Sequence, residues 1–313
     1  MNNAQLAFVF PGQGSQKVGM LADIAAAYPI VAETFAEASD ALGYDMWALI
    51  QQGPQEELNL TEKTQPILLT SSVALWRVWQ QRGGAQPSLL AGHSLGEFSA
   101  LVCAGTIEFR DAVKLVRARG QFMQTAVPVG VGAMAAVLGL EDDQIVHICR
   151  AASSGGDVVE AVNFNSPGQI VIAGTVEGVG KAIELCKAAG SKRALPLPVS
   201  APFHTSLMRP AGDKLREAMA GLKFSVPKIP VVHNVNAKTE SDPEKIKAIL
   251  FEQIFSPVQW THCVQTLASA GVTTAIECGP GKVLCGLVKR IDKNINCFGI
   301  EDSAGLDAAL AAI

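Results

Sequence analysis

Ala91-Gly92-His93-Ser94-Leu95-Gly96-Glu97 carries the pattern Gly-x-Ser-x-Gly, with Gly92 and Gly96 two residues either side of Ser94. The apolar run at 88–91 reads as a short buried strand, and the small and apolar residues at 95–104 read as a helix. A strand that turns this sharply into a helix is a nucleophile elbow. The turn forces the serine into strained backbone angles, and the flanking glycines relieve the crowding. The helix start leaves unpaired N–H groups near the serine oxygen, where an oxyanion would be stabilised. A plain tight turn would also give Gly-x-Ser-x-Gly; the strand before it and the helix after it favour the nucleophile.

Outward from the elbow, the chain reads as α/β. Residues 5–10 are almost continuously apolar, as in a parallel strand buried on both faces. They run into Pro11-Gly12-Gln13-Gly14-Ser15, a glycine-rich turn whose N–H groups could face a ligand. It lacks the Gly-Lys-[Ser/Thr] ending of a phosphate loop. Helical spacing recurs at 30–42, 47–52 and 61–82. Residues 110–124 form an amphipathic helix whose polar side is read as Lys114, Arg117, Arg119 and Gln121. From 132 to 199 the order changes to β-α-β-β-α-β, the ferredoxin-like signature. Strands at 230–234, 274–278 and 297–300 then alternate with helices at 243–255, 260–270 and 283–291. The expectation is a large domain of mostly parallel sheet, residues 1–129 and 200–313, with a small ferredoxin-like domain, 130–199, inserted in it.

The 313 residues are 49% hydrophobic and 17% charged, a globular composition with length for a substantial core. A net charge of −4 gives no reason to expect nucleic acid or an anionic membrane as partner. Seven scattered cysteines, an odd number with no Cys-x-x-Cys, argue against a disulfide framework or a zinc site and for free thiols in the cytoplasm. No signal peptide and no membrane span is read, and no metal or cofactor is expected.

A serine hydroxyl needs a base. Of the five histidines, His93 adjoins Ser94 and should point away from it. His147 lies on an ordinary amphipathic helix, and His233 and His262 read as satisfied structural residues. His204, in a turn between Phe203 and Thr205, is the one placed to enter a cleft. No acid declares itself as a third member. A backbone carbonyl accepting the Nδ1 proton would be enough to orient the imidazole.

Taken together, Phe-Pro-Gly-Gln-Gly-Ser (10–15), Gly-His-Ser-Leu-Gly-Glu (92–97), Arg-Ala-Arg-Gly-Gln-Phe-Met (117–123), Ala-Val-Asn-Phe-Asn-Ser-Pro-Gly-Gln-Ile-Val-Ile-Ala-Gly (161–174), Pro-Phe-His (202–204), Ser-Pro-Val-Gln-Trp (256–260) and Glu-Cys-Gly-Pro-Gly (277–281) resemble the malonyl-CoA:acyl-carrier-protein transacylases of bacterial fatty-acid synthesis. The resemblance runs from about residue 5 to 300. It implies an α/β-hydrolase-like large domain with a ferredoxin-like insert. It implies malonyl transfer from malonyl-CoA to the phosphopantetheine thiol of acyl carrier protein by a ping-pong route, with no cofactor.

By position, Ser94 matches the acylated serine and His204 the general base and acid. The backbone N–H groups of Gln13 and Leu95 match the oxyanion hole. Arg119 matches the arginine that pairs with the malonate carboxylate, against the solvated helix face that its sequence alone favours. Gln253 matches the residue whose main-chain carbonyl orients the histidine, a role for which the side chain would matter little. Gln65 matches a polar residue lining the cleft. Phe203, before the histidine, goes in related domains with malonyl rather than methylmalonyl. A bulky ring leaves little room for a branch, worth roughly 1–3 kcal/mol per methyl group. The implied partner is acyl carrier protein, acidic and transient, with Lys187, Lys192, Arg193, Lys289 and Arg290 as candidate docking charges on a monomer. An esterase or thioesterase, and a carrier-protein binding module without catalysis, are the rival readings. Arg119 argues against the first, and the set Ser94, His204 and Arg119 against the second.

Overall fold

The computed structural model describes residues 2–199 and 201–313; Met1 and Ser200, which open the two expected segments of the large domain, lie outside the described residues. The described strands are β1 (Asn2–Phe10), β2 (Gln86–Gly92), β3 (Gly132–Leu138), β4 (Val159–Ser166), β5 (Gln169–Thr175), β6 (Arg193–Pro196), β7 (Val231–Val232), β8 (Thr274–Glu277) and β9 (Asn296–Gly299). They make two sheets. One is parallel throughout, in the order β7-β2-β1-β8-β9. The other is antiparallel, β4-β5-β3-β6, which is the ferredoxin-like arrangement.

Strand β1 is apolar on both sides because both sides are covered. Leu6, Phe8 and Phe10 pack with the helices Thr61–Gln81, Leu95–Cys103 and Phe109–Gln124, while Ala7 and Val9 pack with Trp260–Ser269 and Val283–Ile291. Strand β5 repeats this logic at period two. Ile170 and Ile172 face the helices Asp142–Ala152 and Val176–Ala188, while Val171 and Ala173 join the core of the parallel sheet. The antiparallel sheet therefore lies against the large core along one face. Strands β1, β2 and β8 end together, with Val9 opposite Ala91 and Glu277. The loops that leave them, at Pro11, Gly92 and Cys278, share the carboxyl edge of the sheet, where open α/β sheets hold ligands.

Several expected elements differ. The strand at 230–234 contracts to Val231–Val232, because His233 and Asn234 leave the ladder to bind Glu97. The strand at 193–199 stops at Pro196; Leu197 N–H still reaches the Met134 oxygen at 2.9 Å, and Pro198 has no N–H to carry the ladder further. The helix expected to 255 ends at Gln253. The short helices Ala22–Ala27 and Gln55–Leu58 and the terminal helix Ser303–Ala311 were not foreseen. No helix among the described residues is long and apolar enough to cross a membrane.

Candidate active site

The elbow is built by backbone contact. Ser94 has φ +51° and ψ −107°, outside the usual regions for a side-chain-bearing residue. A Cβ on Gly92 would lie 1.9 Å from the Gly96 carbonyl carbon, and one on Gly96 would lie 2.0 Å from the Phe10 oxygen. Only glycine fits at either place. Asn234 then fixes the turn from outside: its Oδ1 accepts from Ser94 N–H at 2.7 Å, and its Nδ2 donates to the Gly92 oxygen at 2.7 Å.

Ser94 Oγ lies 2.8 Å from His204 Nε2, and His204 Nδ1 lies 2.8 Å from the Gln253 main-chain oxygen. A carbonyl only accepts, so Nδ1 carries the proton and Nε2 presents its lone pair to the serine hydroxyl. That carbonyl is available because Gln253 ends the helix Pro243–Gln253, whose last carbonyls have no intrahelical partner. Burial, and next the charge of Arg119, push the His204 pKa down to about 3. The imidazole is neutral near pH 7 and can take a proton from Ser94. Glu97 is buried nearby, yet its Oε1 accepts from His233 Nδ1 at 2.7 Å and not from His204. His233 is thus a structural histidine, and no carboxylate completes a triad at His204 among the described residues.

Arg119 does not take the solvated helix face that its spacing alone favours. It falls on the buried stripe Ala112, Val116, Arg119 and Met123 rather than on the polar face, whereas Arg117 reaches the Leu42 oxygen at 3.4 Å on another side. The Arg119 guanidinium donates to Gln65 Oε1 at 2.8 Å, Gln253 Oε1 at 2.9 Å and Ser94 Oγ at 3.3 Å, and it lies 5.2 Å from the Phe98 ring. Desolvation lowers its pKa to about 10, opposed by the charge of Glu97, so it remains a cation at pH 7. Close helix contact brings it there: a Cβ on Gly120 would lie 2.6 Å from the Thr61 oxygen.

Gln65 does not line the cleft as expected. Like Arg119 it has no exposed surface, and it stands behind that guanidinium, spending its amide oxygen on it, because it sits on the buried side of the helix Thr61–Gln81. The Gln253 side chain also proves to matter, since its Nε2 donates to Glu97 Oε2 at 2.8 Å and to the Ser94 oxygen at 3.0 Å. Neither Gln13 N–H nor Leu95 N–H has an acceptor among the described residues. Leu95 opens its helix, and Gln13 follows Gly12, whose close approach to the His93 oxygen (2.6 Å to a Cβ there) presses the loop onto the elbow. His93 itself turns to the insert and meets Asn165 Oδ1 at 2.7 Å.

Above Ser94 is a cavity of about 570 Å³ between the two sheets' domains, lined by Gln13, Ser94, Phe203 and His204 on one side and by Met134 and Leu197 on the other. A space of this size takes a small acyl group and part of a long arm. Asn234, Glu97 and the Gln253 amide are the residues that sequence reasoning missed. Glu97 stood in the quoted Gly-His-Ser-Leu-Gly-Glu, where an acid in a first helical turn has the ordinary reading of a dipole partner.

Residues 7–298 match the acyl transferase domain family. A malonyl CoA-acyl carrier protein transacylase of Salmonella typhimurium is 61% identical over 306 residues, 98% of this chain and 99% of its own. The chain belongs to the acyl transferase family, among its malonyl CoA-acyl carrier protein transacylases. The crystal structure of such a transacylase from Xanthomonas oryzae pv. oryzae superposes with TM-score 0.98 at 54% identity, covering 100% of this chain and 99% of that one. A malonyl-transacylase in complex with its type II PKS acyl-carrier protein superposes with TM-score 0.97 at 55% identity, covering 99% of this chain and 100% of that one. The transacylase family thus accounts for the parallel sheet, the antiparallel insert and acyltransferase activity together.

Proposed function

We propose that this chain transfers malonyl from malonyl-CoA to the phosphopantetheine thiol of acyl carrier protein through malonyl-Ser94, supplying fatty-acid synthesis. The observation that carries this reading is the meeting of two groups at one oxygen. Ser94 Oγ has a neutral imidazole at 2.8 Å and a buried guanidinium at 3.3 Å. The first suits a nucleophile. The second suits an acyl group that ends in a carboxylate, and an esterase has no use for it.

Ser94 Oγ attacks the thioester carbon while His204 Nε2 takes its proton. The tetrahedral oxyanion rests on the Gln13 and Leu95 N–H groups, each worth about 10²–10³ in rate. The C–S bond breaks, His204 returns the proton to the CoA sulfur, and malonyl-Ser94 remains. The carrier's thiol then attacks the ester carbonyl, its proton passing through His204 to Ser94 Oγ as the C–O bond breaks. No cofactor is called for, since His204 moves every proton and Arg119 holds the carboxylate. The cleft lies between the segments 1–129 and 200–313 and the insert 130–199. The free thiols support a cytoplasmic enzyme.

Intact-protein mass spectrometry tests the scheme. Malonyl-CoA should add one malonyl group to the wild type and none to Ser94→Ala, and carrier protein should remove it. A wild-type protein left without adduct would refute the mechanism. Phe203, only 8% exposed and in the cavity wall, supports malonyl over methylmalonyl. Phe203→Ala should raise methylmalonyl transfer relative to malonyl by roughly tenfold, read from competing thioesters.

A further inference from the structure

Arg119 is a buried cation that no carboxylate touches among the described residues. Two amide oxygens hold it, Gln65 Oε1 at 2.8 Å and Gln253 Oε1 at 2.9 Å. The buried anion of the region, Glu97, reaches it only through Gln253, whose Nε2 donates to Glu97 Oε2 at 2.8 Å. The sense of this amide is fixed by its neighbours. Flipped, it would set N–H groups against the guanidinium and an oxygen against the carboxylate.

We propose that the Gln253 side-chain amide sets acyl specificity, as a positioning residue that links Glu97 to Arg119 and holds the guanidinium at Ser94 Oγ. This rests on the reading that Arg119 receives the acyl carboxylate. A neutral amide orients the guanidinium without neutralising it, so the charge stays available to substrate. A guanidinium already aimed at the acyl site has little orientational freedom left to lose when a carboxylate arrives. The Gln253 main-chain carbonyl does separate work on His204 Nδ1 and survives any substitution. The two roles can therefore be separated by mutation.

Gln253→Met keeps the length and the main-chain carbonyl and removes the three amide contacts, to Arg119, Glu97 and the Ser94 oxygen. Gln253→Glu keeps the shape, sets one carboxylate oxygen against Arg119 and sets the other against Glu97 Oε2 and the Ser94 oxygen. Ser94 acylation is timed for each by mass spectrometry, with malonyl-CoA and with p-nitrophenyl acetate, whose acyl group carries no carboxylate. Thermal melting reports the fold. In both variants malonyl acylation should fall, through KM, about tenfold or more beyond any fall in acetylation. In an Arg119→Ala background, adding Gln253→Met should change neither rate further. Equal loss of both acyl groups, or unchanged malonyl acylation, overturns the proposal. Should Gln253→Met not fold, the isosteric Gln253→Glu carries the same comparison. A wild-type protein that takes acetyl but no malonyl overturns the underlying reading as well.

Discussion

Arg119 and His204 divide the labour at Ser94 by charge: burial keeps His204 neutral, while Arg119 stays a cation in spite of burial. With its pKa pushed down to about 3, His204 keeps a free Nε2 lone pair far into the acid range. Ser94 acetylation by p-nitrophenyl acetate should hold nearly level from about pH 8 to about pH 5, and an acid limb at the ordinary histidine value near 6.5 would contradict this. Stability follows with a definite sign. Below about pH 6.5 the unfolded chain takes up a proton that native His204 refuses, so stability falls as pH drops through that range. For Arg119, loss of a charge-assisted pair costs about 1.5–3 kcal/mol, so Arg119→Ala should lower malonyl transfer roughly 10- to 100-fold. The acetyl control should move little, and a parallel drop would sink the carboxylate role. Much of this was legible. Gly92, Ser94 and Gly96 announce the turn by spacing, and the motifs single out His204. Glu97, Asn234 and the Gln253 amide were not legible, because they act across 134 to 159 residues of chain and no local pattern records such a contact.

At the scale of elements, the site depends on how closely the helices Thr61–Gln81 and Phe109–Gln124 approach. Gly120 makes that approach possible and is the neighbour of Arg119. In Gly120→Ala the new Cβ meets backbone, the Thr61 oxygen at 2.6 Å and Glu62 Cα at 2.8 Å, so the helices must part. Overpacking of this kind costs about 1–3 kcal/mol. It should also carry the guanidinium away from Ser94, so malonyl acylation should fall more than acetylation while the protein still melts cooperatively. A uniform loss would mean that the helix pair supports the fold alone. Elements such as β1 were readable because a strand buried on both faces must be apolar throughout. Strand β7 was overread for a physical reason. Its apolar run continues into His233 and Asn234, whose polar groups serve the elbow instead of the ladder.

For the whole molecule, the remaining question is where an acidic carrier would approach the cavity. The candidate cations are not equivalent. Lys187 is paired with Glu184 on its own helix, an exposed pair of little weight. Arg290 donates to Gln169 at the start of β5, the preceding Gly168 oxygen accepts from Gly139, and Lys192 donates its N–H to the Leu138 oxygen. Arg290, Lys192 and the exposed Arg193 are thereby strung along one end of the antiparallel sheet, and the chain after Arg193 runs on to Leu197 at the cavity wall. Glu141, Asp142 and Asp143 follow Leu138 at the same end of the sheet, so steering of an anionic partner there would rest on these cations individually; it is a long-range effect that salt screens within about 8–10 Å at 0.1–0.15 M. Transfer to carrier protein should therefore slow several-fold between about 0.05 M and about 0.5 M salt, mainly through kcat/KM. Ser94 acylation by malonyl-CoA should respond less, because its reactive end is held by the buried Arg119. The double change Lys192→Ala with Arg193→Ala should flatten the salt dependence for carrier protein and leave acylation by malonyl-CoA intact. If the variant retains the full salt response, the carrier docks elsewhere, and the charged edge is only a solvated surface.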